Sequence, residues 1–117
     1  MEITSLYTAE AHGDGSEVQV ISPVDGELTD FYITVVGPDS KKYREAVRKF
    51  QMKLLEEIEG ADIEMLVAIT KGWRGLTDGK KDVQYSDKAA KTLYADAPFV
   101  ASQIDRFIAD RKNFMPG

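Results

Sequence analysis

The sequence predicts an α+β fold: an N-terminal β-ribbon of two or three antiparallel strands, then about four packed α-helices. One domain spans residues 1–117, mainly β over 1–37 and mainly α over 38–117. Three observations predict it. The chain before Pro38 is rich in turn formers and β-branched residues; apolar residues after it recur at helical spacing; and Gly60, Gly72 and Pro98 fall where helices should stop or start.

Glu17 to Ser22 alternates, with Val18 and Val20 on one face and Gln19 on the other. Pro23-Val24-Asp25-Gly26-Glu27 is a turn, because proline presets φ and the Asp-Gly pair supplies a position for φ > 0. Phe31 to Gly37 is the densest run of aromatic and β-branched residues and is the second strand. A two-stranded ribbon is marginal alone. It must pack on the helices, gain a strand from Ile3–Ala9, or pair with another copy. Gly13-Asp14-Gly15-Ser16 reads as a flexible turn, with His12 as an exposed loop residue.

Asp39 or Ser40 caps the first helix, whose apolar stripe is Tyr43, Val47, Phe50, Leu54 and Ile58. Gly60 ends it. Asp62 caps a second helix, with Ile63, Leu66, Val67 and Thr70 on one face, which runs to Gly72. Trp73 should fold back onto the core, Asp78-Gly79 is a turn, and Asp82–Tyr85 is a short extended piece. Ser86 caps a third helix through Tyr94 that uses Ala89, Ala90 and Leu93. Pro98 fits the first turn of the last helix, where its missing N–H costs nothing. Val100, Ile104, Phe107, Ile108 and Arg111 line one side of that helix. Phe114 should return to the core, and Pro116-Gly117 forms a loose end. Burial of Trp73 and Phe107 would make truncation there cost about 3–5 kcal/mol.

Composition excludes several functions. A net charge of −5 opposes nucleic-acid binding, which needs a basic surface. The absence of cysteine removes disulfides, thiolate metal sites and cysteine nucleophiles. The apolar run Met65–Ile69 is too short for a membrane span, and Met1–Ala11 has no basic segment followed by an apolar run, so no signal peptide is visible and a cytoplasmic protein is expected. Phosphate-binding glycine motifs are missing. Two lysines in Asp78-Gly79-Lys80-Lys81-Asp82 oppose calcium binding there. No catalytic residue, cofactor or metal is expected.

Apolar residues off the main stripes invite a partner. Met52 points roughly opposite Phe50, Leu55 lies far from Tyr43 and Val47, and Met65 stands opposite Ile63. Methionine adapts to irregular partners. Glu56, Glu57 and Glu59 add an acidic cluster that is either a solvated helix end or a dock for a basic partner. Met52, Leu55, Glu56 and Met65 are therefore candidate partner-binding residues, for a client or for self-association into a homo-oligomer. The alternative is that a two-layer fold buries both sides of the first helix.

The stretch Gly72 to Phe114 carries a further signal: Gly72-Trp73, Gly75-Leu76, Asp78-Gly79, Tyr85-Ser86, Leu93, Pro98, Ile104 and Phe107, in that order. Upstream stand Pro23, Gly26 and Glu27, then Asp30-Phe31-Tyr32-Ile33, Gly37-Pro38-Asp39-Ser40 and Tyr43-Arg44. This order resembles the tail assembly chaperones of long-tailed bacteriophages and prophages. The chain departs from them at Lys80-Lys81-Asp82-Val83 and Lys88-Ala89. The resemblance implies a non-enzymatic role in the host cytoplasm. Its partners would be the tape-measure protein, kept soluble while the tail is built, and the tail-tube protein that polymerises around it. A structural tail-completion or head–tail joining protein is the alternative.

Overall fold

The computed structural model describes residues 1–115, so the expected loose end at Pro116-Gly117 lies outside the described residues. A 3₁₀ turn over Ile3–Leu6 precedes α1 (Ala9–Asp14), β1 (Ser16–Ile21) and β2 (Leu28–Val35). Then come α2 (Lys41–Leu55), α3 (Ala61–Ile69) and β3 (Thr70–Arg74). A small hairpin, β4 (Thr77–Asp78) and β5 (Lys81–Asp82), leads to α4 (Asp87–Asp96), α5 (Pro98–Ala109) and a 3₁₀ turn at Arg111–Phe114. The fold is mixed helix and sheet, as expected in outline.

The sheet is three-stranded and antiparallel, in the order β1-β2-β3. Its strands are not confined to the N-terminus, which corrects the ribbon-then-helices expectation. The third strand comes from Thr70–Arg74 rather than Ile3–Ala9, and α3 ends at Ile69 instead of reaching Gly72. Val35 pairs with Thr70 and Thr34 with Gly72, leaving Lys71 as a bulge beside the pairing.

Register decides the core. Val18, Ile33 and Trp73 stand side by side across the strands on the covered face, and Glu17 and Thr34 lie on the other. Val18, Val20, Phe31, Ile33 and Val35 are buried beneath Val67 and Ile69 of α3, Ala90 and Tyr94 of α4, and Val100, Ile104 and Ile108 of α5. The opposite face is open and polar: Arg74 pairs with Glu17 at 2.8 Å and lies over the Tyr32 ring at 4.0 Å. Gln103 of α5 extends the edge of β1, accepting from Ile21 N–H at 2.8 Å and donating to its carbonyl at 3.0 Å.

Trp73 and Phe107 are half-buried rather than enclosed. Trp73 meets Phe31 and Tyr85 edge-on, and its indole N–H donates to Val83 O at 2.9 Å. Phe114 returns to the core as expected, edge-on to Phe107. Arg111 lies past the end of α5 and pairs with Asp39 instead of lining the helix.

His12 corrects another expectation. It is fully buried in α1, and Gly13 and Asp14 are helical too, so only Gly15, at φ 83°, turns the chain into β1. The imidazole Nδ1 accepts the Asp39 N–H at 3.0 Å, and its ring packs on Phe114 at 5.3 Å. Gly37 N–H donates to His12 O at 2.8 Å. The Asp39 carboxylate accepts from Thr8 at 2.7 Å and pairs with Arg111 at 3.1 Å. The pairing with Arg111 and then the Thr8 hydrogen bond hold that carboxyl below its ordinary range. One histidine therefore ties α1, the start of α2 and the C-terminal turn together.

Candidate partner-binding surface

Helix α2 starts cleanly. Ser40 is the cap: its Oγ accepts from Tyr43 N–H at 3.0 Å, leaving Asp39 free for Arg111. Of the expected stripe, Tyr43, Val47 and Phe50 are half-buried, and Ala46 is the residue of α2 enclosed by the core. Leu54 and Ile58 were expected inside. They are 55% and 42% exposed, Leu54 in the last turn of α2 and Ile58 in the turn that follows it.

The end of α2 gathers exposed apolar surface. Met52 is 62% and Leu55 86% exposed, so with Leu54 and Ile58 one end of the molecule carries a group of large apolar side chains in water. Glu56, Glu57 and Glu59 are exposed among them. Scattered exposed hydrophobes need no explanation, but several at one helix end among charged residues make that end a candidate contact surface. Met65 lies elsewhere: it is half-buried and packs against the core from α3. The structure thus brings Met52, Leu55 and Glu56 together and sets Met65 apart.

The end of α2 is fixed by backbone geometry. Ile58 N–H donates to Lys53 O at 3.0 Å and Glu57 N–H to Leu54 O at 3.1 Å, the paired bonds of a Schellman ending. This motif needs a left-handed residue, usually glycine, and Glu57 holds it at φ 56°. No other non-glycine residue with positive φ occurs among the described residues. A carboxylate kept where glycine fits better is the kind of local cost that contact sites retain.

Beside that end, α2, α3 and the start of α4 enclose an open groove formed by two adjoining hollows of about 420 Å³ and 290 Å³. Ala46 and Val67 are its buried lining, and its rim is mixed in charge: Lys42, Lys49 and Lys53 from α2, with Lys71 and Lys91, stand among Glu45, Glu64 and Asp87. Those α2 lysines recur at spacings of seven and four, which puts them on one face. Lys53 is ion-paired with Glu64 across the groove. Tyr85 lines one end, and burial, then Asp87, push its hydroxyl up from its ordinary value.

Among the described residues no group of three or more His, Asp or Glu side chains is placed to hold a metal ion. Nor is any helix long and apolar enough to cross a membrane. Comparison of the chain with known protein families, with characterised proteins and with solved structures finds no match.

Sequence reasoning missed Leu54 and Ile58 because they continue a core-like stripe. The signal that distinguishes them is local: Glu56-Glu57-Ile58-Glu59 before Gly60 ends the helix while the stripe still runs. The groove was missed because it needs α4, distant in sequence, for its far wall.

Proposed function

We propose that this chain is a non-catalytic binding protein that shields apolar helical surfaces of a client, in the manner of a phage tail assembly chaperone. The observation that carries the binding role is the end of α2, with Met52, Leu54, Leu55 and Ile58 exposed together. A monomer leaving four large apolar side chains in water gains by covering them, at about 25 cal/mol per Å² of apolar surface. Such an end suits packing against an amphipathic helix, whose apolar face anchors at helical spacing.

The choice of client rests on the resemblance of the Gly72–Phe114 order to the tail chaperones. On that reading the client is the tape-measure protein, tail-tube assembly follows, and the work is done in the host cytoplasm. The test is co-expression with the tape-measure protein of the same genome. A soluble complex, with the tape measure insoluble alone, supports the chaperone. Failure to associate with a tape measure that is soluble alone removes it. Recovery of the chain from finished virions would favour a tail-completion or head–tail joining role.

A further inference from the structure

Charge along α2 runs against the helix's own dipole. Lys41, Lys42 and Arg44 open it, with no acidic residue in the first turn, and Glu56, Glu57 and Glu59 follow its end. Cations are unfavourable at a helix N-terminus and carboxylates at a C-terminus, so both ends are charged at a cost. Nothing nearby relieves the acidic end. Glu56, Glu57 and Glu59 are exposed and make no ion pair among the described residues. Lys53, the basic residue of the last turn, is taken by Glu64 of α3. The same end exposes Met52, Leu54, Leu55 and Ile58, and Glu57 is held among them at φ 56°. Apolar surface and unneutralised acid therefore coincide.

We infer that the segment bound at this end of α2 is a basic amphipathic helix, its apolar stripe flanked by lysine or arginine. This rests on the binding role proposed above, to which it adds the charge of what is bound. The stripe covers Met52 and Leu55, and the flanking cations supply the positive charge that a helix C-terminus favours. Complementarity selects the partner. An acidic helix would add repulsion, and a neutral one would leave the glutamates unpaired at the edge of the contact. Upstream, Arg44, Arg48 and Lys49 make the rest of α2 basic, so the bound helix crosses the end of α2 instead of lying along it. A second copy does not supply such a helix through its own basic stretch, because Tyr43 and Val47 beside Lys41, Lys42 and Arg44 are half-buried.

Three labelled peptides, titrated with the purified chain and followed by fluorescence anisotropy, test the inference. They share one leucine stripe at helical spacing and differ at the flanking positions, which are lysine, glutamine or glutamate. The lysine peptide should bind roughly tenfold more tightly than the glutamine peptide at low salt, and the glutamate peptide most weakly, with the differences shrinking at high salt. Glu56→Gln with Glu57→Gln and Glu59→Gln should abolish the lysine preference and leave binding of the glutamine peptide unchanged. Glu2→Gln with Glu10→Gln and Glu27→Gln, all exposed and outside α2, should leave the preference intact. Met52→Ser with Leu55→Ser should weaken binding of the lysine and glutamine peptides alike, with circular dichroism confirming that every variant folds.

Equal binding of the lysine and glutamine peptides overturns the inference and leaves apolar capture standing, which separates its failure from that of the binding role. Failure of all three peptides to bind overturns it together with helix capture at this end. A preference lost equally on changing Glu2, Glu10 and Glu27 belongs to the whole-molecule charge of −5 and overturns it as well. A dimer formed through Met52 and Leu55 that excludes the lysine peptide assigns the end of α2 to a second copy and overturns it too.

Discussion

At His12 the packing leaves no slack. A Cβ added at Gly37 would meet His12 Nδ1 at 2.5 Å and the Phe114 ring at 2.8 Å. Gly37→Ala should therefore destabilise the fold by about 1–3 kcal/mol, measured by urea unfolding, because neither ring has room to retreat. Glu57 presents the opposite case. Its side chain is exposed and its φ is 56°, so Glu57→Gly should raise stability by about 1 kcal/mol. Asp39 supplies a pH dependence. Arg111, then Thr8, favour its charged form in the folded chain, against an opposing effect of burial. Its contribution is complete above the unfolded aspartate value of about 3.9 and is lost as pH falls through the lower folded value. Arg111→Ala should lower the melting temperature at neutral pH and leave it unchanged in acid below the folded value. Equal losses at both pH values would contradict this pairing.

Among the elements, β2, α2, α4 and α5 were legible because each carries its own signal. These are a β-branched run at Phe31–Val36, a cap at Ser40, a cap at Ser86 and a proline at Pro98. Strand β3 was not legible. Thr70-Lys71-Gly72-Trp73-Arg74 has a glycine at its centre and follows a helical pattern that runs on through Thr70, so only pairing with β2 makes it a strand. The short helix α1 was hidden for a similar reason. Gly13 and Gly15 advertise a turn, and the partners that enclose His12 come from Asp39 and Phe114 far along the chain. Thr70 joins the two layers where the pattern misleads. Its hydroxyl donates to Leu66 O at 2.7 Å and accepts from Tyr94 at 2.7 Å, with the Tyr94 hydroxyl pushed up to about 12 by burial. Tyr94→Phe should cost about 1 kcal/mol. Trp73→Ala should cost about 3 kcal/mol, the low end of the range for aromatic truncation, because the ring is half-buried. Thermal and chemical unfolding of both variants checks the pair, and a negligible loss at Trp73 would remove it from the packing described.

On the scale of the whole molecule, polar and apolar surfaces are unevenly shared. The sheet turns a solvated face outward, with Glu17, Tyr32 and Arg74 upon it. The helical side carries the groove beneath the α2 lysines, and the end of α2 leaves large apolar side chains exposed. Part of that end was legible: Met52, Leu55 and Glu56 fall off the core stripe at helical spacing. The rest was not, since Leu54 and Ile58 follow the stripe, and their exposure depends on where the layers stop. Met65 shows the converse, because an off-stripe methionine on α3 is held by core neighbours. Met65→Ala should thus cost about 2 kcal/mol of stability, whereas changes at Met52 and Leu55 should cost less than about 0.5 kcal/mol.

The most direct measurement compares tape-measure capture by the native chain and by Met52→Glu with Leu55→Glu, alongside the melting temperature of each. Capture lost from a variant that melts with the native chain is the predicted result. Capture retained in full by that variant would contradict the assignment of the α2 end as the client-binding surface.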